Sequence, residues 1–109
     1  MMKNTKHIKI ATDFSNIPKG RTPDDGKYNG ERFRKEFLEG AYNEYDKIII
    51  DLDDLYGCPS SFREEAFGGL VRSLDLDPNE VLEKLEFIAT NRPPLIDTIK
   101  QDILHAKDK

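Results

Sequence analysis

The chain reads Tyr56-Gly57-Cys58-Pro59-Ser60-Ser61-Phe62-Arg63-Glu64-Glu65-Ala66-Phe67-Gly68-Gly69-Leu70 where a predicted strand gives way to a predicted helix. A glycine and a proline end regular structure there, and apolar residues then recur every four positions from Phe62 to Leu70. Ser61 and Glu64 have the spacing of a capping box, in which each side chain satisfies a free backbone N–H group. We therefore expect a helix that Ser61 caps, with Ser60 exposed just outside it.

Two consecutive glycines, Gly68 and Gly69, lie inside the same predicted helix. Each costs roughly 0.5–1 kcal/mol relative to alanine in a helix interior. Their presence indicates that another backbone or a partner approaches closely, and we expect tight internal packing.

Three segments have the composition of strands. Lys47 to Asp53 contains the continuous run Ile48-Ile49-Ile50 and ends in acids, which predicts a central parallel strand covered on both faces. The alternation from Lys6 to Phe14 predicts a half-buried strand, and Leu85 to Thr90 predicts another.

Helices are predicted between these strands. Asn29 is a suitable N-cap for a helix that Gly40 weakens, a short helix starts at Asp77-Pro78, and a last helix starts at Pro93-Pro94. Ser15 to Asn29 forms a long loop, which in a compact domain is usually functional or mobile. The order of elements predicts a small α/β domain with a central, mostly parallel sheet flanked by helices.

Length and composition limit the classes of function. The 109 residues fit one domain, which we place at 1–109 with a core at about 6–105. The net charge is −4 and no basic run occurs, so no nucleic-acid partner is predicted. No apolar stretch approaches the roughly 20 residues of a membrane span, and no signal-peptide pattern is present. A single cysteine cannot form an internal disulfide, so we expect a cytoplasmic protein. Because no apolar span is present, we expect no membrane binding.

The sequence resembles the STAS-like domain family of unknown function. The resemblance covers about Ile8 to Ile103 and is carried by Asp13-Phe14-Ser15, Gly20-Arg21, Asp25-Gly26, Asn29-Gly30-Glu31-Arg32-Phe33-Arg34 and the run from Pro59 to Leu70. That family is distantly similar to bacterial anti-sigma-factor antagonists, in which a strand leads to an Asp-Ser-Ser-Gly turn that opens a helix. A partner serine kinase with a histidine-kinase-like ATPase fold phosphorylates the first serine of that turn.

The resemblance implies a STAS-like regulatory module that binds a protein partner and is not an enzyme. By position, Ser60 matches the phosphoacceptor and Ser61 the serine after it, whereas Pro59 replaces the aspartate of the turn and Phe62 its glycine. The residues around this turn and the long loop are candidates for binding a partner or an anion: Arg21, Lys27, Asp53, Cys58, Phe62 and Arg63.

The sequence also fits two alternative functions. Asp51 and Asp53 end a buried strand and resemble the Asp-x-Asp nucleophile motif of haloacid-dehalogenase-type phosphatases, which would imply Mg²⁺-dependent phosphoryl transfer. Arg21 and Lys27 flank glycine-rich backbone and could form a site that senses an anion or nucleotide; otherwise Arg21 pairs with Asp24 or Asp25. No other motif indicates a metal or cofactor, and the sequence does not specify an oligomeric state.

Overall fold

A computed structural model describes residues 3–108, so residues 1, 2 and 109 of the predicted domain lie outside the described residues. Its sheet has three parallel strands in the order β1-β2-β3: β1 is Lys3–Lys9, β2 is Tyr45–Asp51 and β3 is Leu85–Ile88. The predicted α/β class, with a parallel sheet and packed helices, is therefore confirmed, and β2 is the central strand.

The predicted coverage of β2 on both faces is wrong. Ile48 and Ile50 are fully buried against the helices, whereas Ile49, which points to the other side, is only half-buried. Since successive side chains of a strand point to opposite faces, the helical layer covers one face of the sheet.

The strands end earlier than their apolar patterns predict. β1 stops at Lys9 because Ile10–Asp13 turns into a short helix, α1, and the Asp13 carboxylate accepts a hydrogen bond from the Lys9 amide at 2.9 Å. β2 stops at Asp51, whose carboxylate accepts the Asp53 amide at 2.9 Å and so turns the chain. Local side chain-to-backbone bonds of this kind compete with strand pairing.

Two long helices pack on the covered face. Helix α2 spans 30–44 and α3 spans 60–73, and each contains a π-helical segment, Arg34–Leu38 and Glu64–Gly68 respectively. Asn29 caps α2 as predicted, since its side chain accepts a hydrogen bond from the Arg32 amide, and Gly40 does not end this helix.

The capping box predicted for α3 is wrong. Pro59 occupies the N-cap, Ser60 is the first helical residue, and no side chain caps the helix. Glu64 does not reach back to the start of the helix because its carboxylate is bound by arginines in the interior. Two shorter helices complete the layer: α4 is Pro78–Lys84, capped by Asp77 as predicted, and α5 is Pro93–Leu104.

Glycines allow these helices to approach one another closely. A Cβ atom on Gly30, in α2, would lie 2.6 Å from the carbonyl oxygen of Phe62 in α3. A Cβ atom on Gly69 would lie 2.5 Å from Nη1 of Arg34, and one on Gly68 would lie 3.2 Å from the carbonyl oxygen of Asp102 in α5. The internal packing expected for Gly68 and Gly69 is therefore confirmed.

Two glycine-to-alanine substitutions should change stability in opposite directions. Gly30→Ala should lower the free energy of unfolding by about 2 kcal/mol, because the new methyl group meets helix backbone that cannot move aside. Gly40→Ala should raise it by about 0.5–1 kcal/mol, because nothing lies within 4 Å of the added atom and alanine favours the helix. Urea unfolding followed by circular dichroism measures both, and shifts of the same sign would contradict this packing.

Candidate functional site

The loops that follow the three strands meet at the carboxyl edge of the sheet. The Tyr56 amide donates to the carbonyl oxygen of Asn16 at 2.9 Å, joining the loop after β2 to the loop after α1. Asp53 accepts hydrogen bonds from both the amide and the hydroxyl of Thr90, each at 2.7 Å, joining the loops after β2 and β3. These bonds hold the edge where ligands and partners most often bind in parallel α/β sheets.

Ser60 lies at this edge as the first residue of α3. Its side chain is exposed, and no hydrogen bond from the part of the chain between residues 3 and 108 engages its hydroxyl group. Ser61 is half-buried. Of the two predicted phosphoacceptors, Ser60 is thus the more accessible.

Two exposed apolar side chains lie in loops at the same edge of the sheet. Ile17 is 62% exposed and Tyr56 is 77% exposed, the highest values among the large hydrophobic residues that the structure describes. The Tyr56–Asn16 backbone bond places their chain segments side by side, and Tyr56 precedes Ser60 by only four residues. We call Ile17, Tyr56 and Ser60 the carboxyl-edge surface.

Glu64 forms the centre of a charge cluster beneath this surface. Its carboxylate is buried and accepts from Nη1 of Arg21 at 2.6 Å and from Arg72 at 2.7 and 3.0 Å. Burial alone would raise the pKa of Glu64, but the hydrogen bonds from Arg72 and Arg21 outweigh it and lower the pKa from 4.5 to about 2. Glu64 is therefore ionised at neutral pH.

The neighbouring Glu65 extends the cluster towards α2. Its carboxylate accepts from Nη1 of Arg34 at 2.5 Å and lies 3.4 Å from Nη1 of Arg21. Arg34 is itself buried and also donates to Glu39 at 2.9 Å. Both acids of the Glu64-Glu65 pair are thus matched by arginines.

The structure corrects the expected pairing of Arg21. Its side chain does not pair with Asp24 or Asp25; it crosses to Glu64 and Glu65 in α3. Asp25 instead accepts the Arg21 backbone amide at 2.9 Å, and this bond lowers the pKa of Asp25. The other candidate of the loop, Lys27, lies with its ammonium 5.6 Å from the centre of the Tyr28 ring and lines an open groove of about 460 Å³ along α2.

Three candidates of the turn have structural contacts. Phe62 is fully buried and packs on Phe33, so its side chain belongs to the core and offers no surface to a partner. Arg63 donates to Asp102 at 2.9 Å and to the carbonyl oxygen of Cys58 at 3.3 Å, which fixes the turn against α5. Burial raises the pKa of the Cys58 thiol to about 11, so the thiol remains protonated at neutral pH.

The acidic residues after β2 form hydrogen bonds and an ion pair at the same carboxyl edge. The hydrogen bonds from Thr90 lower the pKa of Asp53, while Asp54 has a left-handed backbone and pairs with Lys9 at 2.7 Å. Within residues 3–108, no three histidine, cysteine or acidic side chains are grouped to hold a metal ion. No helix in that range is long and apolar enough to cross a membrane.

Sequence reasoning missed the charge cluster and the exposed pair Ile17 and Tyr56. Local spacing carries no signal for the cluster, since Arg21 and Glu64 are separated by 43 positions. The exposure of Ile17 and Tyr56 could have been predicted from sequence. Each is a large apolar residue in a loop, where no buried face of a helix or strand needs an apolar side chain.

Replacing Glu64 tests the cluster through the pH dependence of stability. Glu64→Gln should lower the free energy of unfolding at neutral pH by about 2 kcal/mol, since two arginines lose their charged partner but can partly rehydrate. The folded-state pKa is below the unfolded one, so this stabilisation is present above about pH 4.5 and is lost as the pH falls towards 2. Urea unfolding across this range should show the gap between the two proteins closing.

The matched control is Glu36→Gln. Glu36 forms an exposed pair with Arg32 along α2, so its replacement should change stability by less than about 0.5 kcal/mol. A gap between Glu64→Gln and the original protein that stays constant down to acidic pH would contradict the assignment.

Of the comparisons with known proteins, one found a match. No curated protein and no solved structure matches the chain significantly. The model of a family described as a STAS-like domain of unknown function matches residues 29–94, which is more than half of the chain and includes α2, β2, α3 and the Ser60 turn. The chain belongs to this STAS-like family.

Proposed function

We propose that this domain is a regulatory protein–protein interaction module of the cytoplasm, and that phosphorylation of Ser60 switches its binding. The partner would contact the carboxyl-edge surface, and a serine kinase with a histidine-kinase-like ATPase fold would modify Ser60. In this proposal the domain acts by binding and catalyses no reaction of its own.

The observation that carries the proposal is the exposure of Ser60 at the carboxyl edge of the sheet, in the same turn as the exposed Tyr56. Its hydroxyl is accessible and makes no hydrogen bond with another described residue, so modification would not first have to break an internal contact. Ile17 and Tyr56 supply apolar contact area nearby, and tyrosine is enriched at the centres of protein interfaces.

The electrostatic surroundings favour a phosphate at this position. A phosphoserine adds about −1.5 to −2 charges, which the positive end of a helix dipole stabilises. The acids one turn further on, Glu64 and Glu65, would repel it if they were free. Arg21, Arg34 and Arg72 pair with these acids, and their charge offsets much of that repulsion.

The turn is also held in place independently of Ser60. Arg63 ties it to α5 through Asp102, and the Tyr56 amide ties it to Asn16. A surface that is ordered before binding loses little conformational entropy when a partner docks. Phosphorylation would therefore alter the charge of the surface and leave the fold intact.

Adding a charge at Ser60 should change partner binding, whereas removing its hydroxyl group should not. We expect mass spectrometry of the protein from its native host to find phosphate on Ser60. Ser60→Asp should change the affinity of the partner captured with the unmodified domain by about tenfold or more, because one charge enters the centre of the interface. Ser60→Ala should bind as the original does, since the hydroxyl makes no internal bond.

The matched control is Asn43→Asp, which adds the same charge at an exposed position near the end of α2, directly before β2. Its affinity for the partner should equal that of the original protein. The proposal fails if Ser60→Asp and Asn43→Asp bind the partner equally well, or if Ser60 is unmodified under all growth conditions.

A further inference from the structure

We infer that the uncovered face of the sheet is a second docking surface, which binds one amphipathic helix of a partner protein. The strand register assigns the side chains of this open face as Thr5, His7, Lys9, Lys47, Ile49, Asp51, Glu86 and Ile88. None of them is buried. On the opposite face, Ile8, Ile48 and Ile50 are almost completely buried.

An uncovered face is unusual for a sheet of this type. Parallel sheets occur almost only with both faces covered, because their crossover connections place helices on both sides. Here the crossover helices α2 and α3 contact each other through glycines and lie in one layer. Parallel strands of this kind normally have helices on both faces of the sheet. Among the described residues, helices cover only one face.

The open face has two apolar side chains. Ile49 lies on the central strand between His7 and Glu86, and Ile88 lies on β3 next to Asp51. Ile88 is 39% exposed although it is a strand residue of a small parallel sheet. These two side chains offer contacts for the apolar stripe of a helix, and the charged residues form a rim around them.

The charges of the rim specify the flanks of that helix. His7 and Lys9 lie on β1 and Lys47 on β2, whereas Glu86 lies on β3. Within residues 3–108, the side chains of His7, Lys47 and Glu86 form no ion pair or hydrogen bond, in contrast to the paired acids and arginines of the charge cluster. Lys9 already pairs with Asp54. The complementary helix therefore carries an acidic residue facing Lys47 and a basic residue on the flank over β3.

The size of the face favours a single helix over a second copy of this chain. Three strands about 4.8 Å apart and at most seven residues long provide roughly 300 Å². A helix about 10 Å across and three to four turns long covers more than half of that area. A stable homodimer buries about 800 Å² on each partner, which this face does not provide.

Site-specific photo-crosslinking in the native host tests the inference. The full chain carries a benzoylphenylalanine at position 49, at position 86 in a second variant, and at the exposed position Lys35 of α2, in the helical layer, as control. We expect positions 49 and 86, but not position 35, to crosslink to the same partner segment. Mapped by mass spectrometry, that segment should have apolar residues at i, i+3 or i+4, and i+7.

The affinity of the domain for the mapped segment, made as a synthetic peptide, then measures how much the open face contributes to binding. Ile88→Lys should weaken its binding by about tenfold or more, because it replaces one of the two apolar contacts with a charge. Tyr56→Ser should leave it unchanged, so failure of this inference is distinguishable from failure of the proposal for Ser60. Crosslinks only to a second copy of the chain, crosslinks to a segment without helical periodicity, or no crosslink at positions 49 and 86 would each overturn it.

Discussion

The carboxylate of Glu64 lies in the interior of the helical layer, and its burial constrains much of the surrounding structure. Removing an ion of this kind from water costs several kcal/mol unless opposite charges and hydrogen bonds compensate. Arg21 and Arg72 provide both, at 2.6 and 2.7 Å. Arg72 also donates to the carbonyl oxygen of Ala106. One buried charge thus joins the loop after α1, the middle of α3 and the end of the chain that follows α5.

The charge cluster gives a physical reason for the run Glu64-Glu65-Ala66-Phe67-Gly68-Gly69. The two acids require arginines, and the two glycines leave room for them. A Cβ atom on Gly68 would lie 2.5 Å from Oε2 of Glu64, and one on Gly69 would lie 2.5 Å from Nη1 of Arg34. Most of this run therefore serves the packing of α3. Ser60, before the run, is the part of the turn that remains accessible to a partner.

The order of strands and helices could be predicted from sequence because periodicity and N-cap residues report local structure. Asn29 and Asp77 cap their helices as their residue types indicate. The spacing of Ser61 and Glu64 predicted a capping box that does not form, because hydrogen bonds from Arg21 and Arg72 hold the Glu64 carboxylate away from the start of the helix. Spacing also failed at Ile49, since a continuous apolar run shows that both faces of a strand could be buried and does not show that a covering layer is present.

The exposed surface was predictable only in part. Paired serines at the start of a helix indicated an accessible hydroxyl, and the structure has one at Ser60. Phe62 was a reasonable contact residue from its place in the turn, but its ring completes the aromatic core with Phe14 and Phe33. The buried face of α3 follows the predicted spacing from Phe62 to Leu70, whereas no local pattern specified the π-helical segment Glu64–Gly68 within it.

The most direct measurement is a double-mutant cycle between Arg21 and Glu64, using Arg21→Gln, Glu64→Gln and the double variant in urea unfolding at neutral pH. If the Arg21–Glu64 contact fastens the loop to α3, the coupling free energy should be about 1–2 kcal/mol, because one partner is buried and the other half-exposed. Additive effects, with a coupling below about 0.3 kcal/mol, would contradict a structure organised around this buried charge.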